Sequence, residues 1–142
     1  MSGILEGVRI VDISRILAGP YATQILADLG AEVIKIEAPW GDDTRQWGPP
    51  FTTGFDGKKV AAYFLACNRR KEILSIDLKQ ETDEVLKLIK TADVVVENFR
   101  PGTLERLLGP MPEDIILCSI SAYGPVSYTH LTLPTTCCGY VS

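Results

Sequence analysis

A chain of 142 residues with 46% hydrophobic and 23% charged residues has the composition of one ordinary globular domain, long enough to build a core without disulfide or metal staples. Its 14 basic and 18 acidic residues give a formal charge of −4, which provides no basic field for nucleic acid or an anionic membrane. No run approaches the roughly 18 apolar residues of a membrane span, and Glu6 and Arg9 interrupt the start where a secretory segment needs apolar continuity. The expectation is a cytoplasmic protein.

The first apolar run, Val8 to Ile13, reads as a strand, and Gly19-Pro20 then opens a helix with proline in its first turn. Tyr21, Ile25, Leu26 and Leu29 fall on one face of that helix, and Gly30 ends it. Val33 to Ile36 gives a second strand. Ala38 to Gly57 is a loop rich in Trp, Pro and Gly, longer than the about 12–15 residues usual for featureless connections, which favours a functional or interface segment. Val60 to Asn68 reads as a short helix, Ile73 to Leu78 as a strand, and Glu81 to Thr91 as a helix with Val85, Leu86 and Ile89 facing inward. Asp93 to Val96 is a strand, Thr103 to Leu108 a short helix and Ile115 to Ile120 a strand.

Strands alternating with helices predict an α/β fold with a doubly wound, Rossmann-like parallel sheet, in which ligands bind at the carboxyl ends of the strands. The residues to inspect are therefore Ser14-Arg15, Glu37, Asp77 to Lys79, Glu97 to Phe99 and Ser121 to Tyr123. The first strand-to-helix turn, SRILAGPYA, has no G-x-G-x-x-G cradle for a dinucleotide, but the backbone N–H groups at the helix start suit a carbonyl oxygen or a phosphate.

Cys67 and Cys118 stand alone, and Cys137-Cys138 lacks the spacing of a zinc site, so all four read as thiols with no metal. The single histidine, His130, lies in a segment that departs from the rest of the chain. Every Asp, Glu, Lys and Arg lies before Val126, and an uncharged run of this length arises by chance on the order of once in a hundred. Val126 to Thr135 is moreover what GTC TCT TAT ACA CAT CTG ACG CTG CCG ACG encodes, a string that resembles a transposon-end adapter of sequencing libraries. The expected organisation is thus a partial Rossmann-like domain over 1–125 and an adapter-derived extension over 126–142.

Four segments in order, LAGPYATQILADLGAEVIKIE (Leu17 to Glu37), GDDTRQWGPPF (Gly41 to Phe51), VVVENFRPGTLERL (Val94 to Leu107) and CSISAYG (Cys118 to Gly124), resemble the class III CoA-transferases, the CaiB/BaiF family. GDDTR followed by WGPPF looks most like the branch that moves CoA between short acids such as succinate and glutarate. The resemblance covers nearly all of residues 4–124, and the fold it implies is the N-terminal part of the family's large domain.

The resemblance implies CoA transfer from an acyl-CoA to a free carboxylic acid through an aspartate that forms a mixed anhydride and then carries CoA as a thioester. In the family that aspartate follows the CSI-x-x-YG segment by several dozen residues, so no catalytic residue is nominated in this chain. The implied CoA-binding residues are Leu17 and Ala18 beside the thioester, Ile76, Asp77, Leu78 and Lys79 beside the nucleotide, and Asn98, Phe99 and Arg100 at the adenosine end. Arg106 matches an arginine of the 3′-phosphate region. Leu17 stands where some members carry glutamine, and Ala38 where an arginine often follows the strand. CoA is expected as substrate, with no permanently bound cofactor, and the full-length protein as a homodimer.

Arg69, Arg70 and Lys71 form a basic run open to two readings, a CoA phosphate patch or solvated surface. Two other functions remain alongside transfer: an acyl-CoA racemase of the same family, and a nucleotide-binding module without catalysis.

Overall fold

The computed structural model describes residues 3–54 and 57–121. The segment 126–142, with His130, Cys137 and Cys138, and the positions Ala122 and Tyr123 lie outside the described residues.

Five strands, β1 (Arg9–Asp12), β2 (Glu32–Glu37), β5 (Lys71–Ser75), β6 (Val94–Glu97) and β7 (Ile116–Ser119), form one sheet in the order β5-β2-β1-β6-β7. All four pairings are parallel. The chain starts in the middle, winds out through β2 to β5, then crosses back to β6 and β7, so the direction of winding reverses between β1 and β6.

Helix α1 (Ala18–Asp28) packs on one face of the sheet beside α2 (Ala62–Asn68), and α3 (Thr82–Ile89) with α4 (Thr103–Leu108) covers the other. Strand alternation sorts the core accordingly. Val11, Ile13, Ile36 and Val95 meet Val85, Ile89, Leu104 and Leu108 on the α3/α4 face, while Ile10, Val33 and Val96 meet Ala27 and Ala31 on the α1 face.

The doubly wound parallel sheet is as the sequence predicts, and three local readings need correction. The first concerns α1, which buries Gly19, Pro20, Thr23, Gln24 and Ala27 and leaves Tyr21 and Ile25 55% and 46% exposed. The reason is polar. The helix start lies so close to the sheet that a Cβ on Gly19 would fall 2.1 Å from Ser14 Oγ, and Thr23 Oγ1 donates to Asp12 Oδ2 at 2.5 Å, so small and hydroxyl side chains must face inward.

The second correction is that the third sheet strand begins at Lys71, two residues before the apolar run at Ile73, and ends at Ser75. The third is that the long loop is structured. It holds a 3₁₀ helix (Asp43–Gln46) and β3 (Phe51–Thr53), which pairs antiparallel with β4 (Lys59–Ala61) just before α2. Predicted inward residues Val85 and Ile89 of α3 are fully buried.

The two faces predict opposite mutational costs. Ile89→Ala should lower unfolding stability in urea by about 2–5 kcal/mol, whereas Ile25→Ala should cost less than about 1 kcal/mol; a larger cost for Ile25 would contradict the orientation of α1.

Candidate functional site

The α1 face of the sheet carries four charges that point the same way, Asp12, Lys35 and Glu37 toward the carboxyl ends of β1 and β2 and Lys71 at the start of β5. Helices cover all four. Asp12 and Lys35 have no exposed surface, and the Lys71 side chain has none either.

Lys71 Nζ donates to Asp12 Oδ2 at 3.0 Å, to the Pro20 carbonyl at 2.7 Å and to Asn68 Oδ1 at 3.1 Å. The Asp12 carboxylate also accepts from the Ser14 N–H and hydroxyl and from Thr23. Lys35 Nζ donates to the Ser14 carbonyl at 2.9 Å and to Asp42 Oδ2 at 3.4 Å. Arg45 closes a third pair, with Nε and a terminal nitrogen on the two oxygens of Glu37, and its guanidinium carbon lies 3.8 Å from the centroid of the Phe64 ring. Three cations thus meet three anions, and the buried layer is neutral.

These groups hold the turn after β1. The Ser14 N–H reaches Asp12 and its carbonyl takes Lys35. The Arg15 N–H donates to Asn98 Oδ1, and Asn98 Nδ2 donates back to the Arg15 carbonyl, both at 2.8 Å. The Ile16 N–H donates to Asp42 Oδ2 at 3.1 Å. Ile16 has φ of 70°, a conformation that costs a β-branched residue energy and persists only where its surroundings over-determine it. Here side chains fix five backbone groups in three residues.

Burial pushes the Asp42 carboxyl up, but hydrogen bonds from Thr44, the Lys35 charge and the Ile16 N–H outweigh it and hold it below the usual carboxylate range. Burial pulls the Lys71 ammonium down against the attraction of Asp12.

A cavity of about 240 Å³ opens at the carboxyl ends of the strands. Its apolar wall comes from Ile13, Ile36, Ile76, Leu78, Phe99 and Leu107, its rim from Arg15, Ala38, Trp40, Asp77 and Lys79, and the buried charges Lys35, Glu37 and Asp42 border it with Ser14 and Gly41. The loop after β5 is shaped by its own carboxylates, with the Lys79 N–H on Asp77 Oδ1 and the Asp77 N–H on Glu81 Oε2.

Of the residues named from sequence, Ile76, Asp77, Leu78, Lys79 and Phe99 line this cavity together. Asn98 is buried and spends its amide on Arg15, so it positions the turn. Arg100 and Arg106 are exposed neighbours of the lining residues Phe99 and Leu107. Neither they nor Lys79 have a carboxylate partner among the described residues. Leu17 and Ala18 are exposed at the start of α1, and neither lines the cavity.

The basic run divides. Lys71 is buried on Asp12, Arg69 pairs with Asp28, and Arg70 turns the chain with φ of 61°. Glu37, which in a dinucleotide site would accept from a ribose hydroxyl, is occupied by Arg45. Sequence reasoning missed Lys35, Asp42 and Trp40 as site residues. Asp42 left one signal, an Asp two residues before Thr44 that caps the 3₁₀ helix.

Residues 5–131 match the sequence model of CoA-transferase family III. The chain is 46% identical over 133 residues to the succinate–glutarate CoA-transferase of Agrobacterium fabrum, covering 84% of this chain and 32% of that protein. It is 45% identical over 131 residues to the succinyl-CoA:glutarate CoA-transferase of Homo sapiens, covering 84% and 28%. A crystal structure of a CaiB/BaiF family protein from Brucella suis superposes with a TM-score of 0.80 at 45% identity, covering 85% of this chain and 34% of that one. The chain spans about a third of the length of the curated relatives it matches.

The buried layer gives two stability predictions. Lys35→Met leaves Asp42 without its cation and should cost about 3–5 kcal/mol, while Arg15→Ala, which breaks the exposed pair with Asp43, should cost less than about 1 kcal/mol. Because the folded Asp42 carboxyl is held below its unfolded value, its contribution is complete at neutral pH and is lost as the pH falls through the folded value. Urea midpoints for the parent and Asp42→Asn should therefore converge below about pH 4; a gap that stays constant with pH would contradict the charge role of Asp42.

Proposed function

The chain belongs to CoA-transferase family III, and from that premise we propose that its first 125 residues form the nucleotide-holding part of an enzyme that moves CoA from an acyl-CoA to a free carboxylic acid. One observation carries this reading. A largely apolar cavity at the carboxyl ends of a doubly wound sheet is lined by Lys79, and the exposed Arg100 and Arg106 are next in sequence to its lining residues Phe99 and Leu107; none of these three cations has a carboxylate partner among the described residues. An apolar slot suits a base, and unpaired guanidinium groups suit phosphate oxygens. At about 240 Å³ the cavity is below the roughly 300–1,000 Å³ of sites that enclose a drug-sized ligand, so it takes one end of CoA.

In this proposal Arg106 and Arg100 contact phosphate, Phe99 offers its ring to the adenosine, and residues 76–79 border it. Leu17 and Ala18, beyond the clamped turn, lie toward the thioester. Asn98, Lys35 and Asp42 act behind these residues by fixing the turn. Binding of the non-reacting nucleotide orients the thioester, which lowers the entropic cost of the chemical step.

The chemistry is assigned to an aspartate outside these 142 residues. Its carboxylate attacks the thioester carbonyl and expels CoA thiolate, leaving a mixed anhydride. The thiolate then attacks the aspartyl carbonyl and expels the donor acid as carboxylate, and an acceptor carboxylate reverses both steps. The names of the relatives support transfer over epimerisation, and succinate, glutarate or a similar short acid as the partner. The bare apolar stripe of Leu17, Tyr21, Ile25 and Leu29 supports a larger assembly, read here as a homodimer of the full-length protein. Residues 126–142 are read as adapter-derived, which continuous coding DNA through Val126 in the source organism would refute.

Calorimetric titration of the chain with CoA tests the binding role. Arg106→Ala should weaken CoA about tenfold or more, and equal affinities would remove Arg106 from the site. No transfer from succinyl-CoA to a free acid is expected of these residues alone; enzyme-dependent turnover would overturn the assignment of the nucleophile.

A further inference from the structure

Trp40 is 71% exposed, the most exposed aromatic ring among the described residues, yet its backbone is held firmly. The Gly41 N–H donates to the Ala38 carbonyl at 2.7 Å, closing a β-turn with Pro39 in its second position, where the ring presets the backbone. On one side the turn continues from β2. On the other it runs into buried Asp42, whose N–H donates to Glu37 Oε2 at 3.3 Å. Gly41, with φ of 83°, allows the chain to enter the buried layer at that point, with Arg45 packed against it. A large indole is thus carried into solvent by a turn anchored at both ends, at the rim of the cavity.

The remaining lining selects what the indole would meet. The wall is aliphatic through Ile36, Ile76, Leu78 and Leu107, and Ala38, next to the turn, contributes only a methyl group. A second ring, Phe99, reaches the cavity from the end of β6. The charged lining residues Lys35, Glu37 and Asp42 are already engaged with one another or with Arg45, and a flat heteroaromatic base needs a π-face, which Trp40 and Phe99 supply.

Building on the reading that this cavity takes the nucleotide end of CoA, we infer that Trp40 is the stacking platform for the adenine ring. It is a binding residue that sets affinity for the base, separate from the cations that meet phosphate. The anchored turn fixes the backbone that carries the ring, so ordering on binding is confined to the indole side chain.

The experiment uses the 142-residue chain with Trp47→Phe, which leaves Trp40 as the single indole and keeps an aromatic ring opposite Tyr63, 5.5 Å away between centroids in the parent. CoA and ADP should both quench Trp40 fluorescence, and pantetheine should not. In calorimetry on the parent background, Trp40→Phe should stay within about threefold of the parent for CoA, and Trp40→Leu should weaken it at least about fivefold. Quenching by pantetheine and not by ADP would place Trp40 at the other end of the ligand and overturn the inference. So would CoA binding unchanged in Trp40→Leu, or weakened equally in Trp40→Phe and Trp40→Leu, while the CoA reading stood. No CoA binding by the parent would refute the CoA reading of this chain and the inference with it.

Discussion

A buried ammonium, Lys35, with its charge shared between Asp42 and the Ser14 carbonyl, is the contact on which the geometry of the site depends. Desolvating a lysine is expensive, and the cost is offset only if the opposing charge and the hydrogen bonds are placed accurately. That requirement reaches beyond the pair. Asp42 can face Lys35 only if the chain after β2 folds back through the Ala38–Gly41 turn, and the same Oδ2 that accepts from Lys35 then also accepts from the Ile16 N–H. Ile16 can hold its left-handed conformation only while that oxygen is there. One ion pair therefore couples the turn after β1 to the loop after β2.

The second pair, Lys71 with Asp12, ties the same layer to α1 and α2 through Pro20, Thr23 and Asn68. Together the pairs divide the sheet by function. The α1 face at the carboxyl ends is filled with satisfied charge, and Lys35, Glu37 and Asp42 of that layer border the cavity. The other face keeps an apolar cavity between the ends of β1, β2 and β5 and the residues Phe99 and Leu107. Asn98 bridges the two arrangements, since it leaves the strand that reverses the winding and grips the turn on the opposite side of that reversal.

Much of the fold was legible because apolar strands alternate with helices at regular spacing, and α3 shows its inward face through Val85 and Ile89. The α1 face was misread for a physical reason. Leu and Ile at helical spacing signal burial only if the surface beneath is apolar, and the layer under α1 is ionic. The alternation of charged and apolar residues in EVIKIE has the same ambiguity: Lys35 and Glu37 read as solvent-facing until a helix is known to cover them. Of the site, the strand ends at residues 76–79 and Phe99 were legible from topology together with resemblance. The positioning role of Asn98 and the place of Trp40 were not, because both depend on where a turn from a distant part of the chain comes to rest.

Amide hydrogen exchange at Ser14, Arg15 and Ile16 tests most directly whether buried charge fixes the turn. These three amides should exchange as slowly as those of Ile10 and Val11 in the central strand, and Lys35→Met should release Ile16 first. Exchange of the three at the rate of an exposed loop in the parent chain, or protection of Ile16 that survives the loss of the Lys35 charge, would contradict that role of buried charge.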